Sequence, residues 1–270
     1  MWAVSTFFRH ASKTSSSSRA PLLASRAYST SRKAGGARPR RAWLYVPASS
    51  AKMVGKSRTV GADTVCLDLE DGVAQRAKSL ARAQAVQALR CATDGEFGRS
   101  EVAVRINPLE SPDGKADLDA LIAGEAAPDA VVLPKVECEQ DVWYAHDRLS
   151  RFNKPPDIVV LVESPKALLG LDQICAASPL ITALIFGGDD YAASVGAHRT
   201  TNNQELFFAR NMMLLYAAKY DLQAIDIVNI RYKTTGGMLE LQREAEEASN
   251  LGFCGKQIIH PTYYPSNQKL

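Results

Sequence analysis

Residues 158–165, Ile-Val-Val-Leu-Val-Glu-Ser-Pro, set an apolar, β-branched run directly against an acid and a Ser-Pro pair. Five apolar residues in a row, without alternation, read as a strand buried on both faces. Ser164 suits a helix N-cap, and Pro165 suits the first helical position, where the missing N–H is not needed. The segment is a parallel strand turning into a helix, with Glu163 at the strand's carboxyl end.

Outward from it the same pattern recurs. Strands are predicted at 43–47, 64–69, 102–106, 130–133, 158–162, 183–186, 224–230 and 257–259, with segments of helical period between them. Ala77, Leu80, Ala81, Ala85, Ala88 and Leu89 form one helical stripe, and Leu206, Arg210, Leu214 and Ala217 another. Met238, Leu241, Ala245 and Ala248 form a third, which Gly252 is placed to cap. Eight such units predict an α/β fold, the TIM (β/α)8 barrel. The competing open doubly wound sheet lacks support, because no Gly-x-Gly-x-x-Gly follows the first strand.

A chain of 270 residues, 46% hydrophobic, is long enough for one large core and short for two full catalytic domains. Its acids begin only at Asp63. Arg9, Lys13, Arg19, Arg26, Arg32, Lys33, Arg38, Arg40 and Arg41 precede them, with a serine run at Ser15 to Ser18. Residues 1–40 therefore read as a disordered mitochondrial transit peptide, and the matrix as the address. Arg26-Ala27-Tyr28-Ser29 resembles a matrix-protease site; the alternative is a basic tail that targets nothing. The basic excess lies in this leader and gives no argument for nucleic acid. No apolar run is long enough for a secretory signal or a membrane span. The five cysteines are scattered, without a Cys-x-x-Cys pair, and read as reduced core thiols.

In a barrel, chemistry gathers at the carboxyl ends of the strands. Those ends read Tyr45-Val46-Pro47, Asp68-Leu69-Glu70-Asp71-Gly72, Arg105-Ile106-Asn107, Pro134-Lys135-Val136-Glu137, Glu163-Ser164, Gly187-Gly188-Asp189-Asp190, residues 226–229, and Ile259-His260-Pro261. Ionisable residues cluster there and are nearly absent from the strand bodies, as a site at one mouth requires.

Taken together, LYVPA, LDLEDGV, VRIN, LPKVE, the strand ending in Glu163, FGGDD, AIDIV and GKQIIHP resemble the HpcH/HpaI aldolase and citrate lyase beta-subunit superfamily over residues 42–261. The resemblance implies Mg²⁺ on Glu163 and Asp190. Such an ion takes one or two carboxylates and leaves places for water and substrate. It also implies a substrate-binding, catalytic role for Arg105, whose fork suits a carboxylate or an enolate oxygen. Acyl-CoA contacts are implied at Tyr45, Lys52, Lys56, Ile259 and His260.

Each residue has a plainer reading. Asp190 could cap a helix, Arg105 could be a structural ion pair with Glu70 or Asp71, the two lysines could be a solvated face, and His260 a buried histidine. His146 fits a helix stripe with Val142 and Leu149 and reads as structural.

The implied reaction is carbon–carbon cleavage of a 3-hydroxyacyl-CoA, such as citramalyl-CoA to acetyl-CoA and pyruvate. A malate synthase-type condensation is its reverse. Alternatives are a CoA-independent 2-oxo acid aldolase and a non-catalytic subunit that binds ligand or full-length partners. Relatives form homotrimers, and their last helix and lid carry a catalytic Asp into a neighbouring subunit. Residues 262–270 are polar, Pro-interrupted and read as an irregular tail, so a barrel without the last helix and lid, with weak or absent turnover, is expected.

Overall fold

The computed structural model describes residues 38–92, 95–231 and 236–261. Eight parallel strands close into a barrel in sequence order. They are β1 (Ala42–Pro47), β2 (Thr64–Asp68), β3 (Glu101–Arg105), β4 (Ala130–Leu133), β5 (Asp157–Val162), β6 (Ile181–Phe186), β7 (Gln223–Asp226) and β8 (Gly255–Ile258). Closure comes from β8 on β1, with Trp43 opposite Gln257 and Leu44 opposite Ile258. All eight predicted strands are present, so the barrel is confirmed. Two bounds are corrected: β8 runs over 255–258 rather than 257–259, and β7 ends at Asp226 rather than at 230. There the Gln257 side-chain amide donates to the carbonyls of Asp226 and Phe186, ending the ladder with a side chain instead of a strand.

Alternation along the strands builds two cores. Trp43, Tyr45, Cys66, Ala103, Ala130, Val132, Val159, Leu161, Ala183, Ile185 and Ile225 point inward and fill the barrel. The alanines leave room for Trp43 and Tyr45, the two bulky rings of that set. The intervening residues, such as Leu44, Leu67, Val104, Val131, Val160 and Leu184, face the helices.

Those helices include α1 (Ala51–Ser57), α2 (Lys78–Ala92), α3 (Pro112–Ala123), α4 (Glu139–Leu149), α5 (Pro165–Leu169), α6 (Leu171–Ala176), α7 (Gly188–Ser194), α8 (Phe207–Lys219) and α9 (Gly237–Leu251). Ala81, Ala85, Ala88 and Leu89 of the first expected stripe are buried, whereas Leu80 is exposed. In the third stripe Leu241, Ala245 and Ala248 are buried and Met238 is exposed. Gly252 caps α9 at φ +110°, a conformation that a side chain would strain. No helix among the described residues is long and apolar enough to cross a membrane.

The end of the barrel opposite the strand carboxyl termini is closed by an arginine that the sequence assigns to the leader. Arg40 is 2% exposed. Its guanidinium donates to Glu101 at 2.6 and 2.9 Å, to Asp157 at 2.7 Å, to Thr182 at 2.8 Å and to Gln223 at 3.1 Å. Arg41 pairs with Asp63 and Arg38 with Asp129. These three arginines thus serve the fold, because each meets an acid at the barrel's floor. The remainder of the expected leader, residues 1–37, and the expected tail, residues 262–270, lie outside the described residues.

Candidate functional site

Glu163 follows β5 and is 7% exposed. The helix start beside it is made by its neighbours: the Ser164 hydroxyl accepts from the Ala167 N–H at 3.1 Å and Pro165 opens α5. Glu163 is therefore released from capping, and its Oε2 accepts instead from the backbone N–H of Lys135 at 2.8 Å. Burial first, and then the neighbouring Glu70, push its carboxyl up to about 8.

Asp190 lies in the first turn of α7, a helix whose N-cap, Gly187, offers no side-chain cap. Its Oδ2 accepts from the Lys135 ammonium at 2.5 Å. Glu163 and Asp190 line the same mouth, a cavity of about 420 Å³ that also contains Arg105, Asp68, Asp71 and Gln257.

Arg105 closes β3 and lies over the Tyr45 ring, 4.7 Å from its centroid. Its Nε and Nη2 donate to the two Asp68 oxygens at 2.7 and 2.8 Å. Nη1 lies 2.9 Å from Glu70 Oε2 and 3.6 Å from Asp71. The ion-pair reading of Arg105 is thus realised, with Asp68 as its main partner, while the side chain still borders the cavity. The contact to Glu70 lies outside hydrogen-bond geometry, and both Glu70 oxygens are buried without a hydrogen bond. Burial pushes Glu70 up to about 7.

The remaining residues singled out from the sequence come together beside this mouth. Tyr45, Lys52, Lys56, Ile259 and His260 border a second cavity, of about 390 Å³, between α1 and the end of β8. Lys52 and Lys56 are exposed on one face of α1, whose N-cap is Ser50. The two cavities share Tyr45, Pro47, Met53 and Ile259. Tyr45 itself is buried, with its hydroxyl unpaired.

Lys135 had no role from the sequence, although it follows β4 and falls under the same strand-end rule as Glu163. Asp226 is the reverse case: it turns outward, to Arg210 at 2.9 Å and Lys256 at 3.1 Å, and belongs to a structural ion cluster under α8 and α9. His146 accepts or donates at Ser178 Oγ, 2.8 Å away, in keeping with a structural part. None of the five cysteines is in a disulfide.

The donor set suits a small, hard divalent cation. Two carboxylates from consecutive strand ends face one cavity, and a third, Glu70, stands behind them without a hydrogen bond. Among the described residues no cage of three His, Cys, Asp or Glu side chains gathers. One or two carboxylates, completed by water and substrate, is the habit of Mg²⁺ rather than of zinc.

Comparison with known proteins agrees. The chain is 34% identical over 237 residues to the mitochondrial citramalyl-CoA lyase of Rattus norvegicus, covering 83% of this chain and 68% of that one. It is 34% identical over 231 residues to the citrate lyase beta subunit of Escherichia coli K12, covering 83% and 74%. Among solved structures, CitE of Mycobacterium tuberculosis in complex with magnesium, acetoacetate and coenzyme A superposes with a TM-score of 0.71 at 30% identity, covering 86% and 80%. Residues 41–261 match the HpcH/HpaI aldolase/citrate lyase family from one end of the barrel to the other. With the closed barrel, the acid-lined mouth and these relatives in agreement, the chain belongs to the HpcH/HpaI aldolase/citrate lyase family of carbon–carbon lyases.

Proposed function

We propose that the chain cleaves a 3-hydroxyacyl-CoA such as citramalyl-CoA into acetyl-CoA and pyruvate, and that it does so with Mg²⁺ in the mitochondrial matrix as part of a homotrimer. The observation that carries this reading is the junction of the two cavities at Tyr45 and Ile259. A thioester laid across that junction puts its phosphate-bearing tail against Lys52 and Lys56 and its reacting carbons over the acids.

Glu163 and Asp190 are the groups that would hold Mg²⁺, as both border the mouth. When bound, the ion supplies a Lewis acid for a chelating 2-hydroxy or 2-oxo acid. In the cleavage, the 3-hydroxyl loses its proton, the C2–C3 bond breaks, and the electron pair moves to the thioester carbonyl as an enolate. Protonation of that enolate gives the methyl group of acetyl-CoA, so the proton is only relocated. Arg105 is suited to hold the negative charge, since its position is preset by Asp68 and costs no reorganisation during the reaction. The same groups serve the reverse condensation.

The test is pyruvate release from citramalyl-CoA by the purified protein, with and without Mg²⁺. Mg²⁺-dependent release that Glu163→Gln abolishes supports the reading. Cleavage of a free 4-hydroxy-2-oxo acid that ignores Lys52→Ala would favour a CoA-independent aldolase. Binding of acetyl-CoA without turnover of either compound would leave a non-catalytic subunit.

A further inference from the structure

Lys135 holds both sides of the acid pair, and it does so with two different parts of itself. Its backbone N–H binds Glu163 at 2.8 Å, while its ammonium binds Asp190 at 2.5 Å and stands 4.0 Å from Glu70. The residue sits at φ +50°, a left-handed conformation uncommon for a side-chain-bearing residue, so its backbone is committed to this place. Its side chain is not: it is 44% exposed, with solvent on the side away from the acids to turn into.

Resting on the reading of Glu163 and Asp190 as metal ligands, we propose that the Lys135 ammonium is a displaceable internal counter-ion: it neutralises Asp190 and Glu70 until a divalent cation takes Asp190, and then it withdraws. The physical reason is competition. An ammonium and a divalent cation both seek the Asp190 carboxylate, and at contact distance they repel each other across it. The backbone amide bond to Glu163 survives the exchange, because swinging the side chain does not move the strand end. Lys135 is thus a positioning residue whose two attachments act in opposite senses: the amide prepares a ligand, and the ammonium must be driven off one.

Calorimetric titration of the full chain with Mg²⁺ separates the possibilities, using Lys135→Met, Lys135→Gln, Lys135→Arg and Glu163→Gln. Removal of the competing charge is expected to tighten Mg²⁺ binding about fivefold in both neutral variants, a size appropriate to a half-exposed ion pair. Lys135→Arg, which restores the charge, is expected to return the affinity to the wild-type value. A merely structural lysine would give weaker binding in all three, and unchanged or weaker binding in Lys135→Gln overturns the proposal even if Lys135→Met fails to fold. Glu163→Gln is expected to weaken binding by at least about tenfold. If it binds like wild type, the metal reading itself falls and the inference with it; weakened Glu163→Gln beside unaltered neutral variants refutes the counter-ion alone.

Discussion

Gly187 lies so close to Glu163 that a β-carbon on it would stand 2.4 Å from Glu163 Cγ and 2.8 Å from its Oε1. Backbone geometry does not demand the glycine, since its φ is −88°; the space does. Gly187→Ala is therefore expected to fold, to push Glu163 off its bond with the Lys135 amide, and to weaken Mg²⁺ about tenfold, an amount typical of disturbing a ligand's support. Calorimetry reads the result, and undiminished affinity would mean that Glu163 is not a ligand.

The pH dependence of stability follows from two raised carboxyls. Glu163 is pushed up to about 8 and Glu70 to about 7, chiefly by burial. A carboxyl that holds its proton more tightly folded than unfolded favours the fold fully below the unfolded value of about 4.3, and that contribution is lost as pH rises through the folded value. The melting temperature without divalent cations should decline between about pH 5 and about pH 8.5. Glu163→Gln should make the decline shallower, leaving the part due to Glu70. Saturating Mg²⁺ should oppose it as well, because the ion prefers the charged carboxylate. Melts across this range that stay level would contradict the assignment.

Arg105→Lys is not a conservative change at this site. Its Nε and Nη2 both bind Asp68, an arrangement that needs the planar fork. Arg105→Lys is expected to lower kcat about 100-fold through lost charge stabilisation while leaving KM for the thioester little changed. Steady-state pyruvate release measures both constants, and a rise confined to KM would assign Arg105 to uniform binding, equal in ground and transition state.

For Lys52 and Lys56 the opposite division is expected. Both are exposed on α1 at the rim of the groove, away from the acids. Each alanine substitution should raise KM for the CoA thioester about fivefold with kcat nearly unaltered, as expected for uniform binding to phosphate. High salt should erase the difference from wild type. Salt-independent loss would point to a packing effect instead.

At the floor of the barrel, Arg40→Met removes the partner of a buried carboxylate, Glu101, which is 2% exposed. The cost should be about 3–5 kcal/mol, the range for breaking a buried pair from one side. Urea unfolding measures it. The same variant should leave Mg²⁺ affinity intact, because the floor and the mouth lie at opposite ends of the strands.

The sequence by itself determined the strand and helix alternation, because most strands are short apolar runs buried on both faces and the segments between them carry helical period. It also determined that Glu163, Arg105 and Asp190 stand at strand ends, since chain order alone puts them there. Only the tertiary structure decided which way each strand-end side chain points and whom it meets. Asp226 and Gln257 both lie at strand ends, yet one turns out to Arg210 and the other inward to the mouth. The Lys135 ammonium meets Asp190 across 55 residues, and Arg40 reaches Thr182 across 142. Barrel closure and strand register create those meetings, and neither leaves a periodic trace in the chain. An arginine that looks like leader charge in one dimension becomes, in three, the counter-charge of a buried acid.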